Sequence, residues 1–537
     1  MPAGARTQLP GEANQTYVVA RAASLGGDHA RSAQLFAALA EADPADRRIA
    51  RRAAAEAISA GNIALALRLA RRLPPDQLGI DARLLLVADE LRAKRTNRIA
   101  GLLSGGANDA EASLESIELL VKSWDAAERG DATTALDTIA TIPVASLIGP
   151  FVNEQRTLLL LRLKRTADAE PYARRALAAA GGRDHRLRMA FADGFAAAGD
   201  RPRALEMIDG LGTEVGRARR RLAEGRSSGL VIDTTAKAFS ELLLGVAIDL
   251  NRNNSRNLPI ALAQVARHAA PDNASAAVLL GVLLENAGRV DEALAVLRSV
   301  PDGNGLAAQA RDAEARALAD ADRRDEALRL AWAEAHRPNA DVSDFARLGD
   351  AFNALKRYPE AATAYGQALA RTEADRPQQR WPLLLLQASA LESADRWPEA
   401  RRTLEAALVL APEQPLILNF LGYAKLERGE DLDDAEAMIR KASDIAPDDA
   451  SITDSLGWAQ FKRGRVSEAI ETLQRAALAD PSQAEIHEHL GDVLFTAGRK
   501  FEARFAWQAG LIGAEDEIAA RLKAKLETGL TAASAAP

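Results

Sequence analysis

The chain has no cysteine among its 537 residues. That excludes disulfides, thiolate metal sites, a cysteine nucleophile and a lipid-bearing cysteine. Aromatic residues are scarce, at 4%, and the β-branched and aromatic runs that would read as strands are few. No apolar stretch approaches the roughly 18 residues that a membrane-spanning helix requires. Basic charge is not in surplus either. The 68 Lys and Arg residues face 75 Asp and Glu, a net charge of −7. This balance argues against nucleic acid as the main ligand and against an RNA-reading repeat. The opening MPAGARTQLPGEANQ has no basic segment followed by an apolar one, so no signal peptide is visible. A periplasmic location is expected if an export signal has been removed, and a cytoplasmic one otherwise.

What the chain does have is a period. A small residue recurs at one point of a roughly 34-residue cycle: Ser32, Ala66, Ala100, Ala135, Ala169, Ala204, Pro259, Ala293, Ala327, Ala361, Ala400, Ala435, Ala469 and Ala503. If each opens the second helix of a hairpin, the residue it crosses lies about twelve positions earlier and must also be small. Those residues are Ala20, Ala54, Ala88, Ser123, Thr157, Ala192, Ala247, Gly281, Ala315, Gly349, Ala388, Gly422, Gly457 and Gly491. None is larger than threonine. A length that exceeds one usual globular core then poses no difficulty, because stacked hairpins need no single core.

The best-formed copy runs from Ala450 to Gln483. Leu456 and Gly457 lie midway along the first helix and Gly464 closes the turn. Ala469, Leu473 and Ala476 share one face of the second helix, and Pro481 ends it. These residues resemble the tetratricopeptide repeat, and the resemblance extends from about residue 13 to 514. It is strongest from Ala340 to Gly510. It implies an all-α, right-handed superhelical solenoid of about fourteen hairpins. Pro259 departs from the usual alanine but falls in a first helical turn, where proline is tolerated.

The register divides the chain into a flexible lead over residues 1–12, repeats one to six over 13–218, and repeats seven to fourteen over 240–514. Between the two blocks lies an insertion over 219–239, because the interval from Ala204 to Pro259 is 21 residues longer than one period. A capping helix is expected over 515–527, with Ile518, Leu522 and Leu526 on one face. The final 528–537 reads as a disordered tail.

Three motifs invite chemical readings. Gly225-Arg226-Ser227-Ser228-Gly229 matches a nucleophile elbow, but that motif needs a hydrophobic strand before it. The residues here are basic and helical, so a serine hydrolase using Ser227 is a remote alternative to a plain turn. Gly303-Asn304-Gly305 mimics a dinucleotide fingerprint but follows a helix, so it reads as a turn. His487 and His489 are two apart on a helix and point to nearly opposite sides, which does not suit chelation. No metal, cofactor or catalytic residue is expected.

Binding surfaces are the better expectation. Arg217, Arg219, Arg220, Arg221 and Arg226 form the densest basic cluster, a docking patch for an acidic partner or a solvated helix face. In the resembled repeat, cycle positions 2, 5, 9, 12 and 13 of each first helix line the concave groove. That implies partner-binding roles for Asn419, Tyr423, Asp454, Trp458, Phe461, Lys462, Glu488, Asp492 and Phe495. The alternative for the aromatics is packing between neighbouring repeats. The segments Asp454–Gly464 and His489–Gln508 further resemble Gram-negative envelope adaptors of this repeat type, which hold and activate a carboxyl-terminal processing protease. The expected function is therefore a non-enzymatic scaffold that binds protein segments, with a protease or an envelope assembly complex as partner. A cytoplasmic scaffold in secretion, signalling or polysaccharide assembly is the alternative.

Overall fold

A computed structural model describes every residue except 1–9, 104–108, 213–214, 253–256, 339, 375, 533 and 537. Among the described residues there are thirty α-helices and no strand. Alanine-rich sequence favours helix strongly, and the helices form consecutive antiparallel hairpins. The chain separates into two compact units, Met1–Arg347 and Leu348–Pro537.

The hairpin Ala450–Lys462 and Val466–Ala479 illustrates how each copy is made. Asp449 accepts the amide of Ile452 at 3.0 Å and caps the first helix. Gly464, at φ +79°, supplies the left-handed residue of the turn. The amide of Arg465 then reaches back to the carbonyl of Gln460 at 2.9 Å and satisfies the frayed end. The two helices cross where side chains vanish. A Cβ on Gly457 would stand 2.6 Å from Leu473 Cγ, and one on Gly422 would stand 2.8 Å from the carbonyl oxygen of Ala435. In an earlier copy Ser123 donates to the carbonyl of Ala135 at 2.7 Å. The small residue of the first helix therefore meets the small residue of the second.

Thirteen of the fourteen periodic positions are buried; Ala100 is exposed. Its helix, Ile99–Leu103, is little more than one turn long and is seated by its ends, where Ile99 and Leu103 are buried. The expectation of a small anchor fails there because so short a rod has no midpoint to cross.

The interval expected to hold an insertion carries the main departure from a simple stack. A helix over Gly216–Ala223 is followed by a non-helical crossover and then by the long helix Thr235–Arg252, which begins before the expected residue 240. With its partner helix Asn257–Ala269, this hairpin packs across the first helices of earlier repeats. Gln155 donates to the carbonyl of Ala238 at 3.3 Å, Arg183 joins Glu154 to Asp249, and His268 meets Asp89 at 3.2 Å. Further on, Arg289 donates to the carbonyl of Ser59 at 2.8 Å. Within the first unit the inner face is thus filled by the chain itself, so the concave groove implied by the repeat resemblance is not open there.

Both ends also differ from expectation. Helix begins at Pro10, inside the presumed lead, whose residues 1–9 lie outside the described residues. The last helix is Asp516–Thr528. The tail is not disordered where it is described: Ala536 is buried, and its amide donates to Asp492 at 2.9 Å. A buried carboxylate needs donors, and the tail provides one.

Candidate functional site

In the second unit the first helices Pro415–Glu427, Ala450–Lys462 and Ala484–Thr496 present the residues singled out from the sequence. Phe461 and Lys462 gather around Trp458, which is buried at 2% exposure. Its indole stacks on the His489 imidazole with centroids 4.2 Å apart and lies 5.1 Å from the Phe461 ring. The ammonium of Lys462 sits 5.1 Å above it. Trp458 Nε1 donates to Glu427 at 3.2 Å. His489 Nδ1 meets Asp454 Oδ2 at 2.8 Å. Burial alone would disfavour the His489 cation, but Asp454, with Glu485 and Asp492 behind it, outweighs burial and raises the histidine above its ordinary value.

Tyr423 is half-buried one repeat earlier. Burial raises its hydroxyl pKa, and Glu427, Glu485, Asp454 and Glu488 raise it further. Four carboxylates therefore surround one phenol. Asn419 and Phe461 are half-buried and Lys462 is exposed. Trp458 and Asp454 are mainly packing residues, whereas Tyr423, Phe461, Lys462 and the exposed Glu485 remain reachable.

Glu488, Asp492 and Phe495 are covered. Glu488 accepts from Arg521 at 2.9 and 2.7 Å and from Lys525 at 2.6 Å. Burial works against that carboxylate's charge, yet these cations hold it below the usual glutamate range. Asp492 accepts from Lys525 at 2.8 Å and from Trp507 at 2.9 Å, but for it burial prevails and the carboxyl is pushed up. Gly529 lies against the Phe495 ring. The sequence pattern did not reveal Arg521 and Lys525 as occupants of this end; their spacing of four, facing two acids also spaced by four, was the available signal.

The five arginines of the basic cluster have partners within the first unit. Arg217 meets Asp344 at 3.2 Å and Arg220 meets Asp341 at 3.2 Å. Arg219 donates to the carbonyl of Ile208 at 2.9 Å, Arg221 to that of Ser227 at 2.8 Å, and Arg226 pairs with Glu224. Most of the cluster thus fastens the helix Gly216–Ala223 to its surroundings. Ser227 donates to Asp193 at 2.9 Å and accepts the amide of Gly229. The same carboxylate takes the amides of Ser228 and Leu230, so these contacts hold a closed turn. His487 and His489 diverge, the first reaching the carbonyl of Pro481 at 3.0 Å and the second buried against Asp454.

The model of the tetratricopeptide repeat family matches residues 255–310, 385–450 and 455–517. The chain carries tetratricopeptide repeats. No curated protein matches it. Among solved structures, the APC/C hetero-tetramer Cut9–Hcn1 is similar over 97% of this chain and 96% of that chain, at 14% identity and a TM-score of 0.38. A thermophilic tetratricopeptide-repeat protein from Thermus thermophilus shares 21% identity over 35% of this chain and 98% of its own, with a TM-score of 0.30. A MamA AMB-1 structure shares 21% identity over 33% of this chain and 96% of its own, with a TM-score of 0.25. Likenesses this distant carry no argument about a partner. Among the described residues no helix is long and apolar enough to cross a membrane.

Proposed function

We propose that this chain is a non-enzymatic scaffold that holds protein segments on the inner face of its last repeats. One observation carries the reading. The inner face of the first unit is filled by the hairpin Thr235–Ala269, whereas Tyr423, Phe461 and Lys462 in the second unit keep partly exposed side chains on theirs. Half-buried aromatics in a polar setting anchor interfaces at little entropic cost. The test is affinity capture from the native host with the wild-type chain and a Tyr423→Ala/Phe461→Ala variant. Loss of the same partners from the variant, with helix content unchanged, supports the reading; an unchanged partner set refutes it.

The finer form of this role is recruitment or activation of an envelope protease. The resemblance of Asp454–Gly464 and His489–Gln508 to envelope adaptors supports it, and a periplasmic location is what such a role requires. Fractionation of native cells, and cleavage assays of a carboxyl-terminal processing protease with and without the chain, test the two parts separately.

A further inference from the structure

The helices Val152–Arg162 and Thr166–Ala178 form one hairpin of the first unit. On the second helix Tyr172 and Arg175 are three residues apart and so share one edge. The Arg175 guanidinium lies 4.9 Å from the centre of the Tyr172 ring. Arg156, from the first helix, lies 4.3 Å from the same ring centre. Two guanidinium groups thus meet at one phenol. Like charges held this close repel, and attraction to the ring offsets only part of that.

Neither cation has a carboxylate. Among the described residues the side chains of Arg156 and Arg175 form no hydrogen bond and no ion pair, and Arg156 Nε is sealed from water without an acceptor. Other arginines of the same unit are provided for. Arg183 takes Glu154 and Asp249, Arg186 takes Glu241, Arg311 takes Glu314, and Arg347 takes Asp344. Asp137, on the neighbouring helix Ala132–Ala140, is exposed and pairs with neither Arg156 nor Arg175. A half-buried guanidinium has five N–H donors to satisfy, and leaving them unmade is costly. Both arginines line a cavity of about 320 Å³, to which Leu136, Leu160 and Pro171 give an apolar wall. Arg165 and Asp168, also in the lining, are 2.6 Å apart and cancel each other's charge. The uncancelled charge is that of Arg156 and Arg175.

We infer that this cavity binds a dianionic phosphate group, free or carried by a small ester, through the guanidinium groups of Arg156 and Arg175. Two uncompensated cations match a dianion, whereas a monocarboxylate neutralises one and leaves the other. Phosphate oxygens also accept the paired N–H groups of a guanidinium in its fork geometry. The volume stands at the lower end of small-molecule sites, so it suits a phosphate with a short organic group against the apolar wall. Arg156 and Arg175 belong to the two helices of one hairpin. A bound phosphate therefore ties those helices together and stabilises the first unit. This site is independent of the protein-binding role proposed above.

The test is calorimetric titration of the full chain, at constant ionic strength, with inorganic phosphate, O-phosphoserine and acetate. Phosphate or O-phosphoserine is expected to bind at one site per chain and to raise the unfolding temperature, with acetate roughly tenfold weaker. Arg175→Gln, at an exposed position, keeps the fold and is expected to lose roughly tenfold in affinity. Arg156→Gln is expected to lose at least as much; if it loses helix content, Arg175→Gln decides alone. Arg174→Gln is the control. It removes the same charge from the adjacent residue, whose partner is Glu170, and is expected to bind as the wild type does. Tighter binding of O-phosphoserine than of phosphate assigns the site to an ester, and the reverse assigns it to the free ion. Four results each overturn the inference: no saturable binding of either phosphate compound, acetate binding equally well, Arg175→Gln binding like wild type, or Arg174→Gln weakening binding as much as Arg175→Gln.

Discussion

The buried carboxylate of Asp193 accepts the amide of Ser228 at 2.7 Å. It also takes the amide of Leu230 at 2.5 Å and the hydroxyl of Ser227 at 2.9 Å. One side chain of the helix Asp184–Ala197 thus holds the crossover that carries the chain from the sixth repeat toward the hairpin filling the inner face. From the other side, the amide of Gly305 donates to the carbonyl of Ser228 at 2.6 Å, and Asn304 donates to the carbonyl of Gly229 at 3.2 Å. The crossover is clamped between two repeats.

Replacing Asp193 with alanine leaves the buried amides of Ser228 and Leu230 without their acceptor, while the hydroxyl of the exposed Ser227 turns to water. Each buried loss costs about 1–3 kcal/mol, so the first unit is expected to lose about 2 kcal/mol or more. The crossover itself should open first, because a repeat array yields locally. Limited proteolysis checks this: new cleavage between Gly225 and Asp233 is expected before any loss of global helicity. A cleavage pattern identical to wild type would show that the carboxylate does not hold the segment.

At Gly457 two effects oppose each other. Exchanging an interior helical glycine for alanine ordinarily gains up to about 1 kcal/mol. Here the new methyl would meet Leu473 at 2.6 Å on the buried face of the crossing helix, and overpacking costs about 1–3 kcal/mol. Steric cost wins. Gly457→Ala is expected to lower the unfolding midpoint of the second unit in urea, where a propensity-only account expects a rise.

The hairpins were readable because one residue in roughly thirty-four must be small on each of two crossing helices, and that demand survives wherever the helices are long enough to cross. Ala100 marks the limit, since its helix is too short to impose the demand. The crossover was readable only as a surplus of 21 residues. Its destination depends on contacts between residues far apart in the chain, such as Asp89 with His268 and Ser59 with Arg289, which no local pattern encodes. The two motif look-alikes were read as turns; that Gly303–Gly305 and Gly225–Gly229 are turns against each other was not legible from either. At the site the cycle named Asp454, Trp458, Glu488 and Asp492, but their burial was not legible from it. Nor was the cover over Glu488 and Asp492, because Arg521 and Lys525 have no counterpart in the repeat pattern.

The turn inside each hairpin needs one left-handed residue, usually glycine, as at Gly464 and Gly498. At Lys94, Lys164, Lys356 and Asp395 a side-chain-bearing residue adopts the same conformation, with φ between 56° and 59°. Such a residue carries roughly 1 kcal/mol of strain or more. Lys164→Gly and Lys356→Gly are each expected to stabilise their hairpin by about 1 kcal/mol, less the glycine's greater unfolded-state entropy. Slower amide exchange in the helices flanking each turn checks the gain, and faster exchange would contradict it.

His489 couples the last two repeats through Asp454 and through its stack on Trp458. Its pKa in the folded chain is raised above the ordinary value near 6.5, since Asp454 outweighs the opposing effect of burial. A raised folded value means that the folded state binds the proton more tightly than the unfolded state does. The resulting stabilisation is therefore complete below the ordinary histidine value and disappears as pH climbs through the raised one. The urea midpoint of the second unit should fall across that window, on the alkaline side of about 6.5. His489→Gln keeps a donor toward Asp454 but cannot titrate, so its midpoint should lie below wild type at about pH 6 and draw level as pH rises. A wild-type profile parallel to that of His489→Gln would mean that the imidazole stays neutral throughout, and that Asp454 is not the group sustaining its charge.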